Sequence, residues 1–514
     1  MAAPGIESTG YRESAQYRRR WWTLAVLSLS LVVIGLDNTI LNLAIPTLQR
    51  EFEASASELQ WMVDSYILVF AGLLLTMGSL GDRFGRARAL QVGLVLFGLS
   101  SVFAAYAGSS EQLIGARALM GIGGALIMPA TLSIISNVFP REERGRAISV
   151  WAAVAGLGIG LGPVVGGILL EFFWWGSVFF INIPIVAAAL LAGLALVPNS
   201  QDPAKPSLDV PGAILSIAAV TALVFAIIEA PSRGWTDGLV LPAFGASVLL
   251  GVAFAYRELR TREPMLNLRF FKNPRFSGGA GAIAIGFFSL FGVIFGLTQY
   301  LQFVKGFTPL EAGLGLIPVA LGMMAGAGSS SRVVERVGAT RVVAAGLLIV
   351  AAVLVSINLW GADTPYWALG VSFFILAFGM GNTMAPSTDA VMGAVPERNA
   401  GVASATNDVT RQVSGALGVA AIGSVMNTIY SERVAGAVTA LPPEAAARVR
   451  DSVGAAVRIG EEIGGPGGAL LIDTAREDFT IAFGLAALLA AGMATAGAIF
   501  VVRFLPAQHL PVPG

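Results

Sequence analysis

Long apolar runs alternate with short polar segments along almost the whole chain. A membrane-spanning helix needs about 20 mostly apolar residues, and runs of roughly this length predict fourteen spans. The pattern therefore predicts an all-α membrane protein. The predicted spans are residues 21–48, 59–81, 89–108, 112–139, 147–170, 177–197, 210–230, 239–256, 276–304, 312–331, 342–362, 364–395, 399–430 and 479–502.

Composition supports lipid as the solvent for most of the chain. Of 514 residues, 55% are hydrophobic and only 12% are charged, whereas a soluble domain carries about 25% charged residues. Zero net charge without basic runs excludes nucleic acid as a partner. The chain has no cysteine, and its single histidine, His509, lies in the C-terminal tail, which excludes thiol chemistry, zinc sites and a histidine proton relay. Because no nucleophile–base pair, phosphate loop or metal cluster appears, we expect neither enzymatic activity nor a cofactor.

Positive charge predicts the orientation in the membrane. With the N-terminus in the cytoplasm, the inside segments hold 22 Lys and Arg residues and the outside segments hold 8, of which 5 lie in the long loop 431–476. Both termini are therefore expected in the cytoplasm. The first span is too long for a signal-peptide core and no small-residue cleavage site follows it, so we expect it to be retained.

Two pairs of polar loops indicate an internal duplication. Asp82-Arg83-Phe84-Gly85 after span 2 matches Glu335-Arg336-Val337-Gly338 after span 10. Loop 140–145 before span 5 matches loop 396–401 before span 13 at nearly the same offset. Spans 1–6 thus match spans 9–14, with spans 7 and 8 as an inserted hairpin, although chance similarity of short basic loops is the alternative. Parallel six-helix repeats are typical of transporters with a central site.

This duplication predicts two six-helix bundles joined by an insertion. The predicted units are a cytoplasmic tail (1–20), an N-terminal bundle (21–197), an inserted hairpin (198–256), a basic cytoplasmic linker (257–275), a C-terminal bundle (276–502) with outer loop 431–476, and a second cytoplasmic tail (503–514). Within loop 431–476, a helical pattern from Pro442 towards Ile463 and another over 469–476 predict an extracellular helical hairpin. It either lies across the outer mouth or forms a passive appendage.

Five segments of the chain have the form of known transporter-type motifs: Gly78–Arg88, Leu36–Pro46, Arg117–Gly123, Gly158–Gly167 and Gln299–Gln302. They resemble motifs of the major facilitator superfamily, specifically of its 14-helix drug:proton antiporters. Two departures stand out: Ala87 occupies a usually basic position, and Ser149 replaces the first glycine of the antiporter motif. The resemblance covers essentially the whole chain and implies the major facilitator fold and export of small molecules, without specifying the substrate.

The cytoplasmic loop after span 2 is assigned a gating role, as the resemblance implies. Asp82 can accept hydrogen bonds from a neighbouring helix N-terminus or pair with a nearby arginine. A contact of this kind between the halves would hold one conformation, and a positive-inside anchor is a compatible alternative. The assigned residues are Gly78, Asp82, Arg83, Gly85 and Arg86.

Small residues in span 5 resemble the antiporter motif of the family. Glycines allow helix backbones to approach closely, and Pro163 removes one backbone hydrogen bond. A tight packing face is the structural interpretation, and the exporter role is what the resemblance implies. The motif residues are Gly158, Gly162, Pro163, Gly166 and Gly167.

Seven charged residues fall inside the predicted spans, each at a cost of about 2.5–3.5 kcal/mol on insertion scales. With no histidine in any span, carboxylates must carry a coupled proton, because a buried carboxylate can exchange one near neutral pH. Asp37 is the first candidate and Arg117 its partner, with a static buried ion pair as the alternative. The charged residues are Asp37, Asp64, Arg117, Glu229, Asp389, Asp408 and Arg411, of which Asp37, Arg117, Asp64 and Asp408 are the proton-coupling candidates.

Asp64 is the strongest substrate candidate, because a carboxylate beside aromatic rings suits a lipophilic cation. An interfacial residue wetted from outside is its alternative, and a local salt bridge to Arg411 is the alternative for Asp408. The candidate substrate residues are Asp64, Asn42, Trp61, Tyr66, Tyr300, Gln302 and Asp408.

These features predict a proton-coupled exporter of lipophilic, cationic compounds in the bacterial inner membrane. Its expected partners are small-molecule substrates, protons and membrane lipids, and a monomer is expected. Export of an endogenous lipid or metabolite on the same scaffold is the alternative. A non-transporting sensor is disfavoured because the polar loops are too short for a signalling domain.

Overall fold

In lipid, backbone polar groups must be satisfied within the segment, so the long apolar runs form helices. The computed structural model describes residues 15–52, 54, 56–200, 209–261, 264, 266–396, 399–439 and 441–506. The α-helices there are α1 (Ala15–Phe52), α2 (Ala56–Phe84), α3 (Arg86–Ala105), α4 (Ser110–Val138), α5 (Arg141–Phe172), α6 (Ser177–Phe180), α7 (Asn182–Leu196), α8 (Val210–Arg233), α9 (Val240–Arg260), α10 (Pro274–Gln299), α11 (Pro309–Gly315), α12 (Ile317–Val337), α13 (Ala339–Ser356), α14 (Tyr366–Gly393), α15 (Ala400–Val434), α16 (Pro443–Asp451), α17 (Val453–Ile463) and α18 (Gly465–Phe504).

The predicted all-α membrane fold is confirmed. Within the described ranges, 13 helices are long and apolar enough to cross a membrane, and the predicted span 147–170 corresponds to α5, which has 32 residues. The predicted span 177–197 is broken between α6 and α7, and the end of span 276–304 is a π-helical segment, Tyr300–Val304. Predictions for residues 1–14 and 507–514, including His509, lie outside the described residues.

Two sharp turns occupy matching positions along the chain. Gly85 separates α2 from α3 with φ 115°, and Gly338 separates α12 from α13 with φ 85°. This left-handed region favours glycine because it carries no Cβ. The two loops that match in sequence, residues 82–85 and 335–338, thus form the same kind of turn.

The same five helix pairings occur twice along the chain. In the first half, α1 packs against α5 and α7, α2 against α4, and α3 against α4 and α7. In the second half, α10 packs against α15 and α18, α12 against α14, and α13 against α14 and α18. We call these sets the N-half (α1–α7) and the C-half (α10–α18); the predicted residue boundaries of the domains stay a prediction.

The halves meet mainly through two helix pairs, α2–α15 and α5–α12. Helix α8 of the inserted hairpin packs against both α2 and α15, and α9 packs on α8. The hairpin therefore covers the α2–α15 seam. A small apolar cluster there joins all three parts through Leu75, Phe254, Leu266, Val402 and Ala405.

Loop 431–476 forms two short helices against the C-half. α17 packs on α18 and on the π-helical segment, and α16 packs on α17 and α15. Arg476 donates to the Phe303 carbonyl at 2.9 Å, so the end of this loop is fastened to the π-helical segment Tyr300–Val304. The predicted continuous helix is interrupted at Ser452, and predicted helix 469–476 is the beginning of the 40-residue α18.

Candidate functional site

Asp37 of α1 and Arg117 of α4 form a buried ion pair inside the N-half. Their side chains are each 1% exposed. Arg117 Nη1 donates to Asp37 Oδ2, and Arg117 Nε donates to the Met62 carbonyl at 3.1 Å. Each charge therefore has its compensation within the protein, as burial in lipid requires.

Two further polar residues complete this N-half pair. Asn182 Nδ2 donates to Asp37 Oδ1 at 3.2 Å and lies 3.4 Å from Ser101 Oγ. Sequence reasoning missed both because it considered only charged residues for proton coupling. The available signal was Asn182, an amide in an otherwise apolar span.

Tyr66 packs directly on the N-half pair. The Arg117 guanidinium lies 4.6 Å from the centre of the Tyr66 ring, and this ring stacks on Phe70. Tyr66 is fully buried. The structure thus makes Tyr66 a neighbour of the predicted proton pair.

A second acid–arginine pair lies in the C-half. Asp408 and Arg411 of α15 are both buried, with 3.7 Å between Arg411 Nη1 and Asp408 Oδ1. Asn407 Nδ2 donates to Asp408 Oδ1 at 3.4 Å, and Arg411 Nη2 donates to Thr388 Oγ1 at 3.1 Å. Among the described residues, Asp408 Oδ2 and Arg411 Nε have no hydrogen-bond partner, so this pair is held less completely than the N-half pair.

Aromatic rings from both halves enclose Arg411. Its guanidinium lies 4.9 Å from the centre of the Trp151 ring and 5.3 Å from that of Phe287. Trp151 belongs to α5 of the N-half and is fully buried. The C-half pair therefore contacts the opposite half directly, and sequence reasoning did not single out Trp151.

Asp64 and Trp61 lie on a different side of α2 from Tyr66. With about 100° per residue, positions two apart on a helix face different directions. Asp64 and Trp61 turn towards α8, where a narrow space of about 10 Å³, enough for roughly one water molecule, is lined by Trp61, Asp64, Leu68, Phe225, Ile228 and Glu229. The structure thus brings Asp64 together with Glu229 and separates it from the Asp37–Arg117 pair.

The other predicted substrate residues are scattered. Tyr300 is fully buried within the C-half, donates to the Gly361 carbonyl at 2.7 Å and packs against Trp360. Gln302 is half-buried in the same π-helical segment. Asn42 belongs to α1, but its side chain lies outside the described part of the structure.

The end of the bundle that contains residues 82–88 and 140–146 is called the basic face. There, Asp82 accepts hydrogen bonds from the Gly401 N–H at 3.0 and 2.9 Å and from the Val402 N–H at 3.3 Å. It also pairs with Arg86 at 2.8 Å. The N-terminus of α15 carries partial positive charge, so Asp82 links the N-half to the C-half at this face.

Close helix approach makes the basic-face contact possible. A Cβ on Gly78 would lie 2.6 Å from the Gly401 carbonyl oxygen and 2.8 Å from Ala405 Cβ. Gly85 forms the positive-φ turn next to Asp82. Arg83 is half-buried near the same turn.

The predicted antiporter motif lies on the two packed faces of α5. Gly158 and Gly162 contact α1, and Gly167 contacts Leu310 of α11. Gly166 is buried, and the Pro163 side chain is not among those described. At the basic face, Ser149 of α5 and Ser330 of α12 share a hydrogen bond of 3.1 Å between the halves.

Comparison with known proteins identifies the family. The model for the Major Facilitator Superfamily matches residues 27–419. The structure is similar to the human organic anion transporter MFSD10, with a TM-score of 0.61 and 15% identity over 95% of this chain and 100% of that chain. It is also similar to the proton:xylose symporter XylE, with a TM-score of 0.62 and 16% identity over 95% and 96%. At these identities, the solved structures show the shared fold.

Curated relatives are efflux and resistance proteins. The multidrug efflux pump LfrA of Mycolicibacterium smegmatis is 36% identical over 94% of this chain and 96% of its own length. The tetracenomycin C resistance and export protein of Streptomyces glaucescens is 33% identical over 96% and 94%, and the methyl viologen resistance protein SmvA of Salmonella typhimurium is 33% identical over 90% and 93%. This chain therefore belongs to the Major Facilitator Superfamily and is a multi-pass membrane transporter of small molecules rather than an enzyme.

Proposed function

We propose that this protein exports lipophilic, cationic drugs or toxic compounds across the bacterial inner membrane in exchange for protons, by alternating access between its two halves. The observation that carries the proposal is the pair of buried acid–arginine sites, one in each half. Curated relatives are named as drug efflux or resistance proteins, which supports the direction of transport.

The geometry of the ion pairs supports proton coupling. A proton that neutralises Asp37 removes its attraction to Arg117, which belongs to a different helix. A proton on Asp408 weakens its attraction to Arg411, whose guanidinium contacts Trp151 across the interface between the halves. Protonation is thereby linked to movement between α1 and α4 and to contact between the halves.

The electrical driving force sets a scale for this exchange. At about 150 mV, one inward proton supplies roughly 3.5 kcal/mol. This supports a gradient of a few hundredfold for a neutral substrate exchanged with one proton. Steep expulsion of a cation requires more than one proton, and two acid sites are compatible with that requirement.

Two observations favour cationic substrates. Asp64 and Trp61 line the same narrow space against α8, and a carboxylate close to an aromatic ring suits a positively charged, apolar guest. A relative is named for resistance to methyl viologen, which is a dication.

The contact pattern supports a cytoplasmic gate at the basic face. The positive-inside rule assigns this face, and with it both termini, to the cytoplasm. Asp82 and Ser149 close it in the present conformation through contacts to α15 and α12. Release of these contacts would admit substrate from the cytoplasm or inner leaflet.

Proteoliposomes test the proposal directly. Asp37→Asn and Asp408→Asn should each abolish ethidium-driven proton release, because asparagine cannot exchange a proton, whereas exposed Asp473→Asn should transport like wild type. Proton flux and ethidium efflux are measured in the same vesicles. Unchanged coupling in both buried-site variants would overturn the site assignment.

Export of an endogenous lipid or metabolite on the same scaffold is the second candidate. A substrate panel separates the two proposals. A lipid carrier would move labelled lipid between leaflets without exporting ethidium, and this result would replace the drug-export proposal.

A further inference from the structure

Two aromatic rings and a carboxylate surround one arginine between the halves. The Arg411 guanidinium lies 4.9 Å from the centre of the Trp151 ring and 5.3 Å from the centre of the Phe287 ring. Asp408 adds the opposite charge, 3.7 Å from Arg411. Aromatic faces of this kind recognise quaternary ammonium and other organic cations. We call Trp151, Phe287 and Asp408, the three partners of this guanidinium, the cation seat.

The cation seat lies at about the middle of the membrane. Arg411 comes about three helical turns after the start of α15, and Trp151 about three turns after the start of α5. Both helices begin at the basic face, and each turn rises 5.4 Å, so the two side chains lie roughly 16 Å from that face. This is about half of a hydrocarbon layer of about 30 Å. Transporters built from repeats hold their substrates at this depth, between the repeats.

Few directed contacts hold Arg411 in the seat. Its Nη2 donates to Thr388 Oγ1 at 3.1 Å, whereas the 3.7 Å contact between Nη1 and Asp408 is longer than a hydrogen bond. Within the described ranges, Arg411 Nε and Asp408 Oδ2 have no hydrogen-bond partner, although both side chains are buried. Unfilled hydrogen bonds of buried charged groups are costly. A quaternary ammonium carries no N–H donors and would fill the seat without leaving a donor of its own unsatisfied.

The seat is divided between the halves. Trp151 belongs to α5 of the N-half. Arg411 and Asp408 belong to α15 of the C-half, and Phe287 belongs to α10 of the same half. In the present conformation the guanidinium fills the seat. Separation of the halves takes Trp151 away from Arg411 and widens the space beside Asp408, so a guest larger than a guanidinium enters only in an open conformation.

We propose that Arg411 is a tethered stand-in for the substrate cation. In the empty, closed protein its guanidinium occupies the cation seat, and a lipophilic organic cation takes that place when the halves separate. The inference rests on the proposed function and deepens it, since it names the side chain that the substrate displaces. A buried carboxylate without a partner is strongly disfavoured, so Arg411 allows the empty protein to pass through the closed conformation with Asp408 neutralised.

Removal of the stand-in should tighten substrate binding. Purified wild type and Arg411→Gln are titrated with ethidium at pH 8, and ethidium fluorescence reports binding. The dissociation constant of Arg411→Gln should be about tenfold lower, the factor expected when Arg411 leaves the seat free in about one molecule in ten. Arg411→Lys keeps the positive charge and should bind like wild type. Arg433→Gln is the matched control, because Arg433 pairs with Asp478 near the other end of α15.

A milder change tests the same point while the arginine stays in place. Thr388→Ala deletes the hydroxyl that accepts from Arg411, so the guanidinium is held less firmly and the ethidium dissociation constant should fall about threefold. Thr388→Ser should restore the wild-type value. Thr383→Ala is the control, because this buried threonine of the same helix donates to the Gly379 carbonyl. If Arg411 only supported the fold, neither Arg411→Gln nor Thr388→Ala would tighten binding.

A second ring variant places the guest in the seat. Adding Trp151→Ala to Arg411→Gln should raise the ethidium dissociation constant about fivefold, because the guest then loses an aromatic face and no internal cation competes with it. Trp174→Ala, an exposed change just after the end of α5, should leave the value of Arg411→Gln unchanged.

The outcomes separate the two levels of the proposal. Unchanged or weaker ethidium binding in both Arg411→Gln and Thr388→Ala, with ethidium exported by wild type, would overturn the stand-in and leave the exporter proposal standing. A wild-type protein that exports neutral compounds but neither binds nor exports ethidium would overturn the cationic substrate assignment and the stand-in together. Tighter binding in Thr388→Ala supports the stand-in even where Arg411→Gln fails to fold.

Discussion

The two buried carboxylates, Asp37 and Asp408, differ in how completely their oxygens are hydrogen-bonded. Asp37 receives hydrogen bonds at both carboxylate oxygens, from Arg117 and Asn182. Asp408 has one oxygen without a partner in the described part of the chain, and a longer contact to Arg411. An unsatisfied buried oxygen is costly, so a rearrangement that brings a proton or donor to Asp408 relieves a cost that Asp37 does not carry.

Asp82 concentrates several contacts of the closed basic face in one side chain. Asp82→Asn removes the charge that pairs with Arg86 and interacts with the N-terminus of α15. A charge-assisted hydrogen bond contributes about 1.5–3 kcal/mol, so the closed conformation should lose at least about tenfold in population relative to the open one.

A thiol at the seam reports this shift. Val402 is buried, with 4% exposure, and maleimide labelling of Val402→Cys should accelerate about tenfold when Asp82→Asn is added. Asp363→Asn, an exposed change at the other face, is the control. Equal labelling with and without Asp82→Asn would contradict the gating role.

At the scale of helices, Asp209 at the start of α8 anchors the inserted hairpin at the basic face. Asp209 precedes α8, accepts from the Gly212 N–H at 3.0 Å and accepts from Arg257 Nη2 of α9 at 2.6 Å. Burial raises the pKa of Asp209, but Arg257 and the Gly212 N–H lower it by more, so the net pKa lies below its usual value. The anchor thus contributes its stability above the ordinary aspartate pKa and loses it as pH falls through the lowered one.

Asp209→Ala should therefore loosen the hairpin. Loss of a helix cap costs about 0.5–2 kcal/mol, and the thermal unfolding midpoint should fall at neutral pH. The difference between variant and wild type should shrink in acid, because protonation of Asp209 weakens the same anchor in the wild type. A midpoint difference independent of pH would show that the anchor is not electrostatic.

The helices and several side-chain ion pairs could be anticipated from sequence, whereas the rotation of each helix about its axis could not. The sequence offered an Asp37–Arg117 ion pair and an Asp408–Arg411 salt bridge as alternatives to transport roles, the second from the three-residue spacing on one helix face. That Asp64 faces α8 instead depends on how α2 is rotated by packing against α4. Trp151 likewise reaches Arg411 only because α5 packs across the interface, a relation no local pattern encodes.

In the whole molecule, the two seams between the halves, α2–α15 and α5–α12, differ in the helices that flank them. The α2–α15 seam is covered by the inserted hairpin, whereas the α5–α12 seam is flanked by α11 and α14 of the C-half, which each contact both α5 and α12. Alternating access requires both seams to open at the basic face. The hydrogen bond between Ser149 and Ser330 lies on the α5–α12 seam, so it offers a place to restrain this motion.

A reversible cross-link at that position tests whether transport needs the halves to separate there. Because the hydroxyl oxygens lie 3.1 Å apart and the chain has no other cysteine, the double variant Ser149→Cys, Ser330→Cys should form one disulfide under mild oxidation. The bond holds α5 against α12 at the basic face, so oxidised protein should lose ethidium efflux and coupled proton flux together. Reductant should restore both, and each single-cysteine variant should be insensitive to oxidant. Wild-type flux through fully oxidised protein would mean that these helices stay together throughout the cycle, and the rocking of one half against the other would have to be abandoned.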